Sequence, residues 1–124
     1  MKEGKHVILY VDDDRDFLDS TKLVLESKGF IVETAQSAED GLKAFKRCKP
    51  DLIIVDLMME EVDAGAGLIK DLKLAGNTAP LYMLSSVGDQ LHMSTDTAAL
   101  GLSGVFQKPV NFENLVRTLT QKLG

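Results

Sequence analysis

Four short apolar runs, each closed by a reactive polar residue, constrain this chain more than any other feature. Residues 6–11 run into Asp12-Asp13-Asp14, residues 52–55 into Asp56, residues 81–84 into Ser85-Ser86, and residues 104–107 into Lys108-Pro109. The runs are aliphatic with little in–out alternation, the pattern of strands covered on both faces. Parallel strands joined by helical crossovers have all their carboxyl ends on one edge of the sheet. Three or four carboxylates, a hydroxyl and an ammonium would then converge on one cleft.

The segments between the runs supply the crossovers. From Asp14 to Lys28 the residues Phe17, Leu18, Val24 and Leu25 recur at helical spacing with Thr21 between them, and Gly29 is a suitable terminator. Asp14 is expected to start that helix, because a carboxylate favours a helix N-terminus. Residues 30–35 read as a further strand with Ile31 and Val32 at its centre. Ser37 and Asp40 resemble a capping box. The helix that follows is expected to bury Leu42 and Phe45 and to stop near Lys49-Pro50. Leu68, Ile69 and Leu72 mark a helix ended by Gly76-Asn77, and residues 88–100 a weaker one. The last helix, with Asn111 as N-cap, is expected to bury Leu115, Val116, Leu119 and Leu123. Five strands alternating with five helices predict a doubly wound α/β domain with a parallel sheet in the order 2-1-3-4-5. In that order strands 1 and 3 flank the switch point, where Asp12, Asp13 and Asp56 sit.

Size and charge narrow the function. A chain of 124 residues supports one domain with one core. Its net charge of −5 argues against binding nucleic acid. The lone Cys48 forms no internal disulfide and fits a reducing compartment. No apolar leader precedes the first strand, and no run is long enough to span a membrane, so a cytoplasmic domain is expected.

Crowded carboxylates repel by roughly 4 kcal/mol per pair at about 4 Å and an effective dielectric near 20. Raised pKa values, a bound cation or Lys108 must offset this. An oxygen-only cluster suits a hard ion such as Mg²⁺, with Mn²⁺ as a substitute. His6 and His92 have no partners at zinc-binding spacing. A carboxylate can also act as a nucleophile toward phosphorus, given a metal, a counter-charge and a hydroxyl. Asp56 as nucleophile, Asp12 and Asp13 as metal site, Lys108 as counter-charge and Ser85 as hydroxyl fill those roles.

These same residues carry a family resemblance. With Asp12-Asp13-Asp14 after strand one, Asp56 after strand three, Ser85-Ser86 after strand four and Lys108-Pro109 after strand five, the chain resembles the receiver domain of two-component response regulators. The resemblance spans essentially residues 1–124 and implies a flavodoxin-like (βα)5 fold. It implies that a sensor histidine kinase or phosphotransfer protein donates a phosphoryl group to Asp56. It further implies that Asp13, Asp56 and the backbone carbonyl of Met58 ligate Mg²⁺ directly, with Asp12 acting through a metal-bound water. Ser85 and Lys108 would contact the phosphoryl group. A downstream partner, or an output domain missing from this chain, would read the face made by the helix over 88–100, the fifth strand and the last helix. The resemblance implies a signalling domain rather than an enzyme.

Four departures from the family pattern carry expectations of their own. Glu60, followed by Glu61, stands where receivers usually have a proline, and the loop through Asp63 to Gly67 is about one residue longer. Val105 occupies the usual place of the signalling aromatic, and Phe106, one residue later, is expected in the core. Met58 and Val87 occupy the positions that bracket the attacking water in receivers, and both are apolar, so self-dephosphorylation is expected to be slow. Three other classes are less well served. A dehalogenase-type aspartyl phosphatase needs a second Asp where Met58 sits. A flavodoxin-like cofactor binder needs a phosphate loop where this chain has three aspartates. A phosphate-independent pseudo-receiver would not need the intact acid set.

Overall fold

The computed structural model describes residues 4–56, 64–85, 104–107 and 111–123. Five strands form one parallel sheet: β1 (Val7–Val11), β2 (Ile31–Ala35), β3 (Leu52–Asp56), β4 (Leu81–Ser85) and β5 (Gly104–Gln107). Their order is β2-β1-β3-β4-β5, the doubly wound arrangement expected from the sequence. Four helices are described: α1 (Arg15–Ser27), α2 (Ala38–Cys48), α3 (Ala64–Leu74) and α4 (Phe112–Leu123). The helix expected over 88–100 lies outside the described residues.

The two-residue period of the strands divides the core into two layers. Ile8, Tyr10, Leu52, Ile54, Tyr82, Leu84 and Phe106 join Leu18 and Leu25 of α1 and Leu115 and Leu119 of α4. Leu9, Val11, Ile53, Val55, Leu81 and Met83 join Ala44 of α2 and Leu68, Ile69 and Leu72 of α3. Both faces of the central strands are covered, so every residue of β1 and β3 is buried. Phe106 lies in the core as expected and packs on the Tyr82 ring, with centroids 5.4 Å apart.

The local signals act where the sequence put them. Asp14 caps α1 by accepting from the Phe17 N–H at 3.1 Å, and Ser37 caps α2 by accepting from the Asp40 N–H at 3.1 Å. Asn111 caps α4, accepting from the Asn114 N–H at 3.1 Å. Gly29, just past α1, takes φ 95°, where a side chain would be strained.

Two expectations need correction. The residues of α2 that are fully buried are Gly41 and Ala44, whereas Leu42 and Phe45 are only partly buried at the margin of the core. The cause is how closely α2 lies on the sheet. A Cβ on Gly41 would come within 2.9 Å of Val11 Cγ2 and 3.1 Å of Leu68 Cδ2. Only small residues fit the line of closest approach, and the large ones flank it. Val116 and Leu123 of α4 are likewise partly rather than fully buried.

This predicts opposite signs for two glycine substitutions within helices. Gly41→Ala forces the stiff, buried Val11 to move and lowers stability, by an overpacking cost of about 1–3 kcal/mol less the helix-propensity gain. Gly67→Ala meets nothing within 4 Å and raises stability by roughly 0.5–1 kcal/mol. Urea midpoints of the two variants check both signs.

Candidate functional site

Register brings the acidic residues together. β1 pairs with β3 so that Val11 lies beside Val55, and the next residues along the two strands are Asp12 and Asp56. From β1 the chain crosses to β2 on one side, while β3 lies on the other, so these ends flank the switch point of the sheet. Asp56 is itself level with Leu84 on β4, and Ser85 with Gln107 on β5. The strand ends that precede each predicted site residue therefore share one edge.

Asp12, Asp13 and Asp56 each offer a carboxylate oxygen within 4.8 Å of the others. Asp12 is fully buried, Asp56 is 3% exposed and Asp13 is open to solvent. Asp12 is held from several sides. Its N–H donates to the Ala35 carbonyl at 3.0 Å, tying the turn to β2. Its Oδ1 accepts from the Asp14 N–H at 3.0 Å, and its Oδ2 accepts from the Tyr10 hydroxyl at 2.8 Å. Burial pushes the Tyr10 phenol well above its ordinary range, and the Asp12 charge and hydrogen bond push it further. Tyr10 thus stays protonated and remains a donor.

The amino end of α1 begins three residues past Asp12, and its exposed N–H groups add partial positive charge beside the cluster. That does not neutralise three carboxylates. The donor set suits a hard divalent ion, being all oxygen, with two buried carboxylates and one at the surface where a hydrated ion can approach. A cavity of about 630 Å³ lies elsewhere. It is lined by Lys46, Lys49, Asp51 and Pro80, at the amino ends of the strands. In doubly wound sheets ligands bind at the carboxyl ends, so chemistry and topology outweigh volume here.

Of the predicted site residues, Asp12, Asp13 and Asp56 come together. The backbone of Ser85 ends β4 at the same edge. The Ser85 side chain, Met58 and Lys108 lie outside the described residues, as do Glu60, Glu61, Asp63 and Val87; the Val105 side chain does too. Sequence reasoning missed Tyr10, which it treated as one more apolar member of the first strand. Its signal was present: a residue two positions before a strand-end carboxylate shares that carboxylate's face.

No helix among the described residues is long and apolar enough to cross a membrane. The chain is 34% identical over 119 residues to the transcriptional regulatory protein GlrR of Escherichia coli K12, an alignment covering 94% of this chain and 26% of that protein. The alignments span between 26% and 38% of the lengths of GlrR and of the CseB regulators of two Streptomyces species. Among solved structures it superposes on a response regulator receiver domain protein of Clostridium thermocellum with a TM-score of 0.85. That pair shares 26% identity, with 95% of this chain and 94% of the other covered. It also superposes on the chemotaxis response regulator CheY4 of Vibrio cholerae with a TM-score of 0.83 and 27% identity, covering 94% and 98%. The model of the response regulator receiver domain matches residues 8–120. Sheet order, acidic edge and sequence therefore agree, and the chain belongs to the family of response regulator receiver domains, phospho-signalling modules of two-component systems.

Proposed function

We propose that Asp56 is the phosphoacceptor of this receiver and that Mg²⁺ is its cofactor. The observation that carries the reading is the convergence of Asp12, Asp13 and Asp56 within 4.8 Å at the carboxyl ends of the two central strands. An Asp56 carboxylate oxygen attacks the phosphorus of a phosphohistidine on a sensor kinase or phosphotransfer protein. The new O–P bond forms as the N–P bond breaks, and the histidine nitrogen leaves with the electron pair. Bound beside Asp56, a divalent cation supplies charge neutralisation for the phosphoryl oxygens. Asp13, Asp56 and the Met58 carbonyl would hold it directly, and Asp12 would hold it through water. Lys108 would pair with the incoming phosphoryl group, and the Ser85 hydroxyl would donate to it.

Residues 1–124 act on this reading as one cytoplasmic receiver domain, a switch rather than an enzyme. Phosphorylation shifts the population between two arrangements of the Ser85 loop, the helix expected over 88–100 and β5, which with α4 make up the output face. A downstream protein, or an output domain in a longer chain, reads that face. With Val105 at the usual aromatic position, the switch works without the family's standard rotamer change.

Incubation with acetyl phosphate and Mg²⁺, followed by intact mass, tests the acceptor. Wild type gains the mass of one phosphoryl group, and Asp56→Asn or chelation of the metal abolishes the gain. Equal incorporation by Asp56→Asn would move the acceptor elsewhere. The phosphorylated form then decays slowly, because neither Met58 nor Val87 can orient a water by hydrogen bonding. Phosphate release over time checks this, and Met58→Asn with Val87→Glu is expected to accelerate it. Complete loss from wild type within seconds would contradict the assignment of those two positions.

A further inference from the structure

One buried group at the acidic edge has no part in the phosphoryl chemistry: the Tyr10 phenol. Tyr10 is fully buried, and its hydroxyl donates to Asp12 Oδ2 at 2.8 Å. Asp12 Oδ1 accepts from the Asp14 N–H at 3.0 Å. Each carboxylate oxygen has about two lone-pair sites. One on each oxygen is thus committed inside the fold, which fixes the plane of the carboxylate.

The phenol is itself held firmly. Its ring meets Phe17 edge-on with centroids 6.2 Å apart and planes at 73°, and Phe17 stacks on Phe112 of α4 at 6.1 Å and 28°. Beneath it lies the core layer of Ile8, Leu18 and Ile54. The buried Thr21 hydroxyl reaches toward the phenol without closing a well-formed hydrogen bond. An aromatic column thus runs from Asp12 to the last helix, and it leaves the hydroxyl little freedom to turn away.

We propose that Tyr10 is a positioning residue of the acidic pocket, its hydroxyl setting the orientation of the Asp12 carboxylate and thereby the pocket's affinity for a divalent cation. The inference rests on the reading of this pocket as a cation site. Two effects of the hydrogen bond oppose each other. It draws charge from Asp12, which weakens its hold on a cation, and it fixes geometry, which strengthens it. For a fully buried carboxylate a wrong rotation would break its contact with a metal-bound water altogether, while one neutral donor withdraws little charge. Orientation therefore wins, as it does for most groups that hold a metal ligand from behind.

Calorimetric titration with MgCl₂ tests this on the full chain, using wild type, Tyr10→Phe, Asp12→Asn and the double variant. Tyr10→Phe keeps the ring and its packing. It is expected to weaken binding about tenfold, the low end for such groups, because the Asp14 N–H still holds Oδ1. In the Asp12→Asn background the same change is expected to alter affinity by less than about twofold, since its route of action is gone. Equal affinity of wild type and Tyr10→Phe would overturn the inference alone. So would an undiminished loss in the Asp12→Asn background, which would mark a packing effect. Absence of binding by wild type would overturn the cation reading and this inference together. Should Tyr10→Phe fail to fold, 3-fluorotyrosine provides a second measurement. The chain has two tyrosines, so Tyr82→Phe assigns the two ¹⁹F resonances. The Tyr10 resonance is expected to shift along the Mg²⁺ titration with the calorimetric midpoint, and a resonance that stays still would overturn the inference.

Discussion

Mutual repulsion among three carboxylates is the constraint around which this domain is arranged. Oxygens within 4.8 Å cost roughly 3–4 kcal/mol per charged pair at an effective dielectric near 20. A domain of this size has a net stability of only about 5–15 kcal/mol. Such a cluster survives because rigid elements impose it. Asp12 and Asp56 stand at the ends of two adjacent strands locked in register, and neither can withdraw without breaking the sheet. Folding thus stores an unfavourable electrostatic arrangement, one that a bound cation would relieve, which would link binding to stability.

The opposite edge of the sheet shows how a carboxylate looks when its role is structural. Asp51 precedes β3, and its Oδ2 accepts from the Val7 N–H at 2.8 Å while its own N–H donates to the Val7 carbonyl at 2.7 Å. Burial works against its charge, while the Val7 N–H and nearby positive charge together outweigh it and hold the carboxyl below its ordinary range. Asp51 is paired with donors, whereas Asp12, though it too has donors, also faces two other carboxylates. The difference separates the amino edge, which closes the fold, from the carboxyl edge, where the acidic cluster lies. Both edges depend on the same two helical layers, and α2 reaches the sheet only because position 41 carries no side chain.

Much of this was legible in the sequence, for physical reasons that can be named. Strand order followed from apolar runs alternating with helical periods, and the acidic edge followed from what ended each run. The caps at Asp14, Ser37 and Asn111 were readable because a cap is a local interaction between near neighbours. The packing of α2 was less so, because apolarity alone does not report how near a helix lies to a sheet. Leu42 and Phe45 looked like core residues, whereas Gly41 and Ala44 mark the contact. Tyr10 was read as bulk because its hydroxyl acts only once Asp12 is fixed in space. Phe106 shows the converse: the two-residue period of a strand was enough to place it in the core.

The central claim is that these carboxylates form one cation-dependent centre. Substoichiometric Mn²⁺ followed by amide NMR tests it most directly, because paramagnetic broadening falls off steeply with distance from the ion. Loss of signal centred on Asp12, Asp13 and Asp56, reversed by excess Mg²⁺, is the result this account predicts. Broadening centred on surface acids such as Glu39 and Asp40, or spread evenly over the chain, would contradict it.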